Sequence, residues 1–135
     1  MRDNASLVAG LVRKARGDEL VAAMCLERGV ALDSACFHAQ QAAEKYLKAY
    51  LVSARSAYPP IHNVEKLIEL CAQGEPSFAT IRHVGALLTP YAVAMRYDDD
   101  FWPSEEVARE AYDATLTIKR LVLDRLPQQI GDEPR

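Results

Sequence analysis

The chain has 135 residues and a formal net charge of −3 at pH 7, and half of its residues are hydrophobic. This size and composition are typical of one globular domain, and the small negative charge excludes a general attraction to nucleic acid or anionic lipid. No stretch approaches the ~18 apolar residues of a membrane span, and the N-terminal segment lacks the apolar core of a signal peptide. We therefore expect a cytoplasmic protein without a membrane segment.

Apolar residues at spacings of three and four predict a first helix over residues 5–28, which Gly29 ends. Asp33 and Ser34 are the predicted caps of a second helix, which continues to Ala54. The apolar side of this second helix is rich in alanine, so a neighbouring helix can approach it closely.

Two prolines, Pro59 and Pro60, break the second helix because they cannot donate to a helical hydrogen-bond ladder. His62 and Asn63 open a short third helix, and Gly74 ends it. The position of His62 beside this turn makes a helix cap the ordinary interpretation of that histidine.

The remaining sequence predicts two more helices. Ser77 is the predicted cap of the fourth, and Pro90 should kink or restart it. Ser104, followed by two acidic residues, is the predicted cap of a fifth helix that ends near Leu126. Long helices with short breaks predict an all-α, five-helix antiparallel up-and-down bundle over residues 1–126, with a loose tail over 127–135.

The cysteines Cys25, Cys36 and Cys71 are far apart, and their odd number without a C-x-x-C pair is not the pattern of a disulfide framework or zinc site. Apolar helical positions predict buried, reduced thiols. No carboxylate or cysteine stands at ligand spacing to His38 or His83, so we expect no metal and no cofactor.

Four polar residues form one longitudinal line on the second helix, Gln41, Glu44, Lys48 and Arg55, at spacings of three, four and seven. Periodicity alone favours a solvated helix face. Asp18, however, falls within the apolar stripe of the first helix, where a carboxylate needs a cation. Pairing with Lys48 or Arg96 would supply one, either as a structural ion pair or as part of a polar pocket.

Several segments of the chain resemble the HEPN domain, a small helical domain. They are "AxxD" at Ala15–Asp18, "HAQQAAEKYLKAYL" at His38–Leu51, "PPIHNVEKLIELC" at Pro59–Cys71, "RY" at Arg96–Tyr97, and the alanine-rich last helix. The resemblance spans residues 5–125, and its most specific part is "QQAAEKxLKA" followed by "PPxH".

The resemblance implies a homodimer that acts with a separate small nucleotidyltransferase, often as a toxin–antitoxin module. It also implies a nucleotide- or phosphate-binding groove. The residues carried over to this groove are Gln41, Glu44, Lys48, His62, Arg96 and Tyr97. In this interpretation Lys48 and Arg96 contact phosphate, Glu44 and Asp18 hold them in place, and Tyr97 or Tyr50 stacks on a base.

Many HEPN domains are metal-independent ribonucleases with an Arg-x(4–6)-His motif, which gives an alternative function. Arg55 and His62 enclose six residues, although the family motif normally lies in the later helices. His62 would take the proton of a ribose 2′-hydroxyl, and Arg55 or Arg96 would stabilise the charge on phosphate.

A third interpretation is a protein-interaction module without a ligand. Phe101 and Trp102, beside the acidic run Asp98–Asp100, would then form a docking patch. The structural alternative is that this aromatic pair folds back over the end of the bundle.

Overall fold

The computed structural model describes residues 3–127, which form α-helices and one short 3₁₀ helix, with no strand in that range. The elements are α1 (Asn4–Arg28), α2 (Leu32–Arg55), α3 (Val64–Gly74), the 3₁₀ helix Pro76–Ile81, α4 (Arg82–Leu88), α5 (Tyr91–Tyr97) and α6 (Glu105–Arg125). The predicted five-helix bundle is confirmed, with the fourth helix divided into the 3₁₀ helix, α4 and α5. The predicted tail, apart from Pro127, lies outside the described residues.

Three of the predicted helix boundaries follow from local chemistry. Gly29 ends α1 in the left-handed conformation, with a φ of 65°. The side chain of Asn63 accepts a hydrogen bond from the backbone N–H of Lys66 at 2.9 Å, and that of Ser104 accepts one from Val107 at 3.2 Å. Asn63 and Ser104 each satisfy a backbone donor at the start of a helix, whereas the N–H of Gly29 donates to carbonyls at the end of α1.

The predicted cap of α2 is wrong. The helix begins at Leu32, and its cap is the left-handed Ala31, with a φ of 49° and no side-chain hydrogen bond. Asp33 and Ser34 therefore lie inside the first turn, where the charge of Asp33 still interacts favourably with the helix dipole. Only three residues join α1 to α2, and this short connection needs left-handed backbone rather than an extended cap.

The predicted cap of the fourth helix is also wrong. Ser77 lies within the 3₁₀ helix, and its hydroxyl bonds to the carboxylate of Glu75 at 2.9 Å. The predicted interruption at Pro90 is confirmed, because this residue separates α4 from α5.

Helix α2 is the centre of the bundle and packs against α1, α3, α5 and α6. More than half of its residues are buried, including five alanines that allow the neighbouring helices to come close. The side chain of Asn4 donates to Ser56 Oγ at 2.9 Å and joins the start of α1 to the end of α2, so these two helices are antiparallel.

The chain between α2 and α3 runs back along α2 before α3 begins. Its first residue, Ser56, follows the end of α2, whereas the carbonyl of His62 accepts a hydrogen bond from the side chain of Gln40 at 3.0 Å. This return places His62 beside the middle of α2.

None of the helices in the described part of the chain has the length and apolar character needed to cross a bilayer.

Two helical glycines provide a matched test of packing. A Cβ at Gly85 would lie 2.7 Å from Ile68 Cδ1 and 2.9 Å from Glu65 Cα, whereas one at Gly17 would meet nothing within 4 Å. We expect Gly85→Ala to lower the free energy of unfolding by about 1–3 kcal/mol through overpacking. We expect Gly17→Ala to raise it by about 0.5–1 kcal/mol through helix propensity.

Urea denaturation of the two variants beside the wild type measures both effects. The close approach of α4 to α3 is contradicted if Gly85→Ala is as stable as Gly17→Ala.

Candidate functional site

Glu44 and Lys48 are buried rather than solvated. Their exposed fractions are 4% and 7%, and Lys48 Nζ donates to Glu44 Oε2 at 3.2 Å. The solvated-face interpretation of these two residues is therefore wrong, because other elements cover this side of α2. Gln41, on the same line, is half-buried.

Glu44 holds His62 against α2. Nδ1 of His62 lies 3.0 Å from Oε1 and 3.1 Å from Oε2 of Glu44, while the His62 side chain is 68% exposed. Since an ionised carboxylate can only accept hydrogen bonds, Nδ1 carries the hydrogen and Nε2 of the neutral ring is an acceptor. A carboxylate that fixes one ring nitrogen of an exposed histidine leaves the other nitrogen for a ligand or a proton.

Gln40, which the sequence analysis missed, completes this arrangement. It is fully buried, and its amide donates both to Glu44 Oε1 at 3.2 Å and to the carbonyl of His62 at 3.0 Å. Gln41 in turn donates to Gln40 Oε1 at 2.7 Å. The available signal was the spacing of Gln40 and Glu44, four residues apart on a helix.

Tyr58 also belongs to the surroundings of Lys48. Lys48 Nζ lies 5.1 Å from the centre of the Tyr58 ring, within the range of a cation–π contact. The charge of Lys48 is therefore balanced inside the protein by Glu44 and covered in part by an aromatic ring. We define the His62 network as Gln40, Gln41, Glu44, Lys48 and His62.

Arg96 lies near the other end of the same line on α2. Its guanidinium carbon is 5.3 Å from the ring centre of Phe37 and 5.8 Å from that of Tyr97, and Nη2 donates to the carbonyl of Ala92 at 3.3 Å. Phe37 precedes Lys48 by eleven residues, which span about 16 Å of α-helix. Arg96 and Lys48 are thus held at different levels of α2 by different partners.

Asp18 is not part of this arrangement. Asp18 Oδ2 accepts a hydrogen bond from Lys45 Nζ, and Oδ1 lies 2.8 Å from Nδ1 of His38. The predicted pairing with Lys48 or Arg96 is therefore wrong. His38 and Lys45 are two turns apart on the side of α2 that meets α1, whereas Lys48 turns towards the chain that leads to α3.

Arg55 and His62 occupy separate positions. Arg55 is exposed in the last turn of α2, where it lines a shallow cleft of about 350 Å³ with Tyr58 and Leu70. His62 is fixed at Glu44, eleven residues and about 16 Å further back along the helix. No direct contact joins Arg55 or Arg96 to His62 within the part of the chain that the structure describes.

The two buried thiols are unsuited to nucleophilic chemistry. Burial, with a smaller contribution from Asp33, raises the pKa of Cys36 to about 11, and burial raises the pKa of Cys71 to about 12. Both thiols are therefore protonated near neutral pH, whereas the thiolate is the reactive form.

The aromatic residues near the end of α5 have different environments. Phe101 packs on Tyr91, with ring centres 5.7 Å apart, as the folded-back alternative expects. Trp102 is 78% exposed and Tyr97 75% exposed.

The carboxylates of Asp98, Asp99 and Asp100 have oxygens that lie within 4.8 Å of one another. Exposed acidic groups are commonly arranged in this way without any ion.

The fold and the site together define a helical bundle whose central helix fixes an exposed histidine through a buried carboxylate. The model of the HEPN domain family matches residues 8–126, and the chain belongs to this family. The resemblance seen in the sequence is therefore confirmed. A search of curated proteins finds no match.

Two crystal structures are similar to this fold. TT1696 from Thermus thermophilus has a TM-score of 0.78 and 25% identity, over 88% of this chain and 98% of that one. ST0689, an archaeal HEPN homologue, has a TM-score of 0.69 and 24% identity, over 91% of this chain and 97% of that one. Both similarities support the all-α bundle.

The pairing of Glu44 with Lys48 predicts a cost for removing one partner alone. Glu44→Gln leaves a buried, unpaired ammonium, and we expect it to lower the free energy of unfolding by about 3 kcal/mol. The double variant Glu44→Gln/Lys48→Met should recover more than half of this loss, because it removes the orphaned charge. Urea denaturation measures these energies as a double-mutant cycle.

Glu69 on α3 is exposed and provides the matched control for this cycle. Glu69→Gln should change the free energy of unfolding by less than about 0.5 kcal/mol. If Glu44→Gln changes stability no more than Glu69→Gln does, the two buried charges do not depend on each other.

Proposed function

We propose that this HEPN domain binds a nucleotide or another phosphate-bearing ligand at a surface formed by His62, Gln41, Phe37, Arg96 and Tyr97. The observation that carries the proposal is the exposed imidazole of His62, fixed at Nδ1 by the buried carboxylate of Glu44. Protein polar groups that are already fixed before binding lose little entropy when a ligand arrives.

The roles within this surface differ from those that the family resemblance implied. Lys48 is buried and paired with Glu44, so it supports His62 rather than the ligand. Arg96 is exposed and packs between the rings of Phe37 and Tyr97, which leaves its other N–H groups for phosphate. The exposed ring of Tyr97 offers a face on which a base can stack.

We further propose that the chain acts as a homodimer with a separate small nucleotidyltransferase, in a module of the toxin–antitoxin type. Membership of the HEPN family supports this role. The exposed Trp102 also supports it, because tryptophan is among the side chains that contribute most to protein interfaces. A small nucleotidyltransferase uses nucleotides, and nucleotides are also the ligands proposed for this chain.

Titration calorimetry with ATP tests the binding surface. His62→Ala and Arg96→Ala should each weaken binding by about tenfold, since Arg96 would donate to phosphate and the acceptor Nε2 of His62 would receive a hydrogen bond from a ribose hydroxyl. The exposed residues His83 and Arg82 on α4 supply controls of the same residue types. His83→Ala and Arg82→Ala should leave the affinity within about twofold of the wild type.

The proposal fails if the wild type does not bind ATP, GTP or a dinucleotide at millimolar concentration. It also fails if the α4 controls lose as much affinity as His62→Ala and Arg96→Ala, because binding would then reflect general surface charge.

A metal-independent ribonuclease is the second candidate, and the pairing of His62 with Glu44 favours it. The acceptor nitrogen Nε2 of His62 would take the proton of a 2′-hydroxyl, and an arginine would stabilise the developing charge on phosphate. Arg55 lies in the last turn of α2 and Arg96 lies against Phe37, so neither arginine contacts His62 within the described part of one chain. A complete site would therefore take its arginine from the second copy in a dimer.

Cleavage of RNA in the presence of a chelator tests this candidate. We expect His62→Ala and Arg96→Ala each to abolish cleavage. Mixing these two inactive variants should restore about a quarter of the wild-type rate, because random exchange makes half of the isologous dimers mixed and each mixed dimer has one intact site.

His83→Ala should cleave at the wild-type rate and serves as the control. Equal trace cleavage by the wild type and His62→Ala would contradict the ribonuclease candidate. If Arg55→Ala is inactive by itself and recovers cleavage when it is mixed with His62→Ala, the arginine is Arg55 instead.

A further inference from the structure

A second site candidate is the shallow cleft at the end of α2, which Arg55 borders. Its volume of about 350 Å³ lies at the lower end of the range of about 300–1,000 Å³ that is usual for small-molecule sites. The cleft is lined by parts of α2, of the chain that follows it and of α3, namely Leu51, Arg55, Ala57, Tyr58, Pro59 and Leu70. None of these residues belongs to the His62 network or to the ligand surface proposed beside it.

Arg55 supplies the charge of this cleft. It is the only charged residue among those of the described chain that line it. Its side chain is exposed, and its guanidinium makes neither a hydrogen bond nor a salt bridge within residues 3–127. The N–H donors of Arg55 are therefore available to an anion from outside the chain.

The groups around Arg55 do not neutralise it. Glu69 on α3 is exposed, and Asp3 accepts a hydrogen bond from the backbone N–H of Ser6 at 2.7 Å. Neither carboxylate lines the cleft or pairs with Arg55. The dipole of α2 places about half a negative charge at this end of the helix, which is less than the full positive charge of Arg55. The balance inside the cleft therefore favours an anionic group.

The other walls of the cleft favour a flat, apolar body. Tyr58 is 38% exposed, and the remaining lining residues are aliphatic. The contact of the Tyr58 ring with Lys48 Nζ, at 5.1 Å from the ring centre, holds the ring before a ligand arrives. A planar aromatic group can pack against such a ring in a stacked or an edge-to-face arrangement.

We propose that the cleft at the end of α2 binds a small aromatic anion, of which an aromatic carboxylate is the simplest form. Its ring packs against Tyr58, Pro59 and Leu70, and its anionic group accepts paired hydrogen bonds from Arg55. The site lies about 16 Å along α2 from the carboxylate that fixes His62. The two sites can therefore be occupied independently.

Titration of the isotope-labelled full chain with naphthalene carboxylate, followed through the amide NMR shifts, tests the site. This probe combines two fused aromatic rings with one carboxylate. We expect saturable shifts centred on the backbone amides of Ala57, Tyr58 and Leu70, with a Kd of about 1 mM or below. Arg55→Gln removes the charge and the paired donors, and it should weaken binding by about tenfold.

A neutral probe and a matched variant separate this site from general surface charge. Naphthalene carboxamide should bind the wild type about tenfold more weakly than the carboxylate does, whereas Arg55→Gln should bind both probes with similar affinity. Arg82→Gln removes an exposed arginine of α4 that does not line the cleft. It should leave the Kd of the carboxylate within about twofold.

The proposal is overturned if Arg55→Gln binds the carboxylate as tightly as the wild type, or if the carboxamide binds the wild type as tightly as the carboxylate. It is also overturned if the wild type shows no saturable shifts up to about 10 mM, or shifts centred outside the cleft. ATP binding beside His62 is tested by His62→Ala and Arg96→Ala, which lie outside this cleft, so either proposal can fail alone.

Discussion

Helix α2 is surrounded by α1, α3, α5 and α6, and this enclosure determines what its polar side chains can do. A charged group at a covered position of such a helix cannot keep its water, so it needs a partner inside the protein. Glu44 meets this requirement with Lys48, Gln40 and His62 together. The return of the chain after α2 depends on the same network, because Gln40 and Glu44 hold His62 there.

Stability alone does not explain why such a network is present. A well-packed apolar set of similar volume is often as stable as a buried ion pair, or more stable. What an apolar set cannot do is fix the orientation of an imidazole and of the carbonyl beside it. Gln40 holds the carbonyl and Glu44 holds the ring of His62. The network therefore specifies one geometry of an exposed side chain, which is the property that a binding or proton-transfer site requires.

The helices and most of their ends could be predicted from the sequence, since Gly29, Asn63, Pro90 and Ser104 act through their own neighbours in the chain. The environment of the polar residues could not. Spacing on one helix places Glu44 and Lys48 on a common line but does not say which elements cover that line. The partner of Asp18 was missed for the same reason. How α1 is aligned along α2 decides whether Asp18 meets Lys45 or Lys48, and the sequence does not give this alignment.

Among residues 3–127, two histidines are held by carboxylates, and their exposure distinguishes them. His38 is paired with Asp18 between α1 and α2, and its side chain is 29% exposed, against 68% for His62. Asp18 also accepts from Lys45, so both carboxylates are shared by a histidine and a lysine. The pair of Asp18 and His38 therefore joins α1 to α2, whereas the pair of Glu44 and His62 presents an imidazole ring to solvent. A ligand of appreciable size can reach the second ring far more readily, which supports the proposal that the ligand binds on the side of α2 that bears His62.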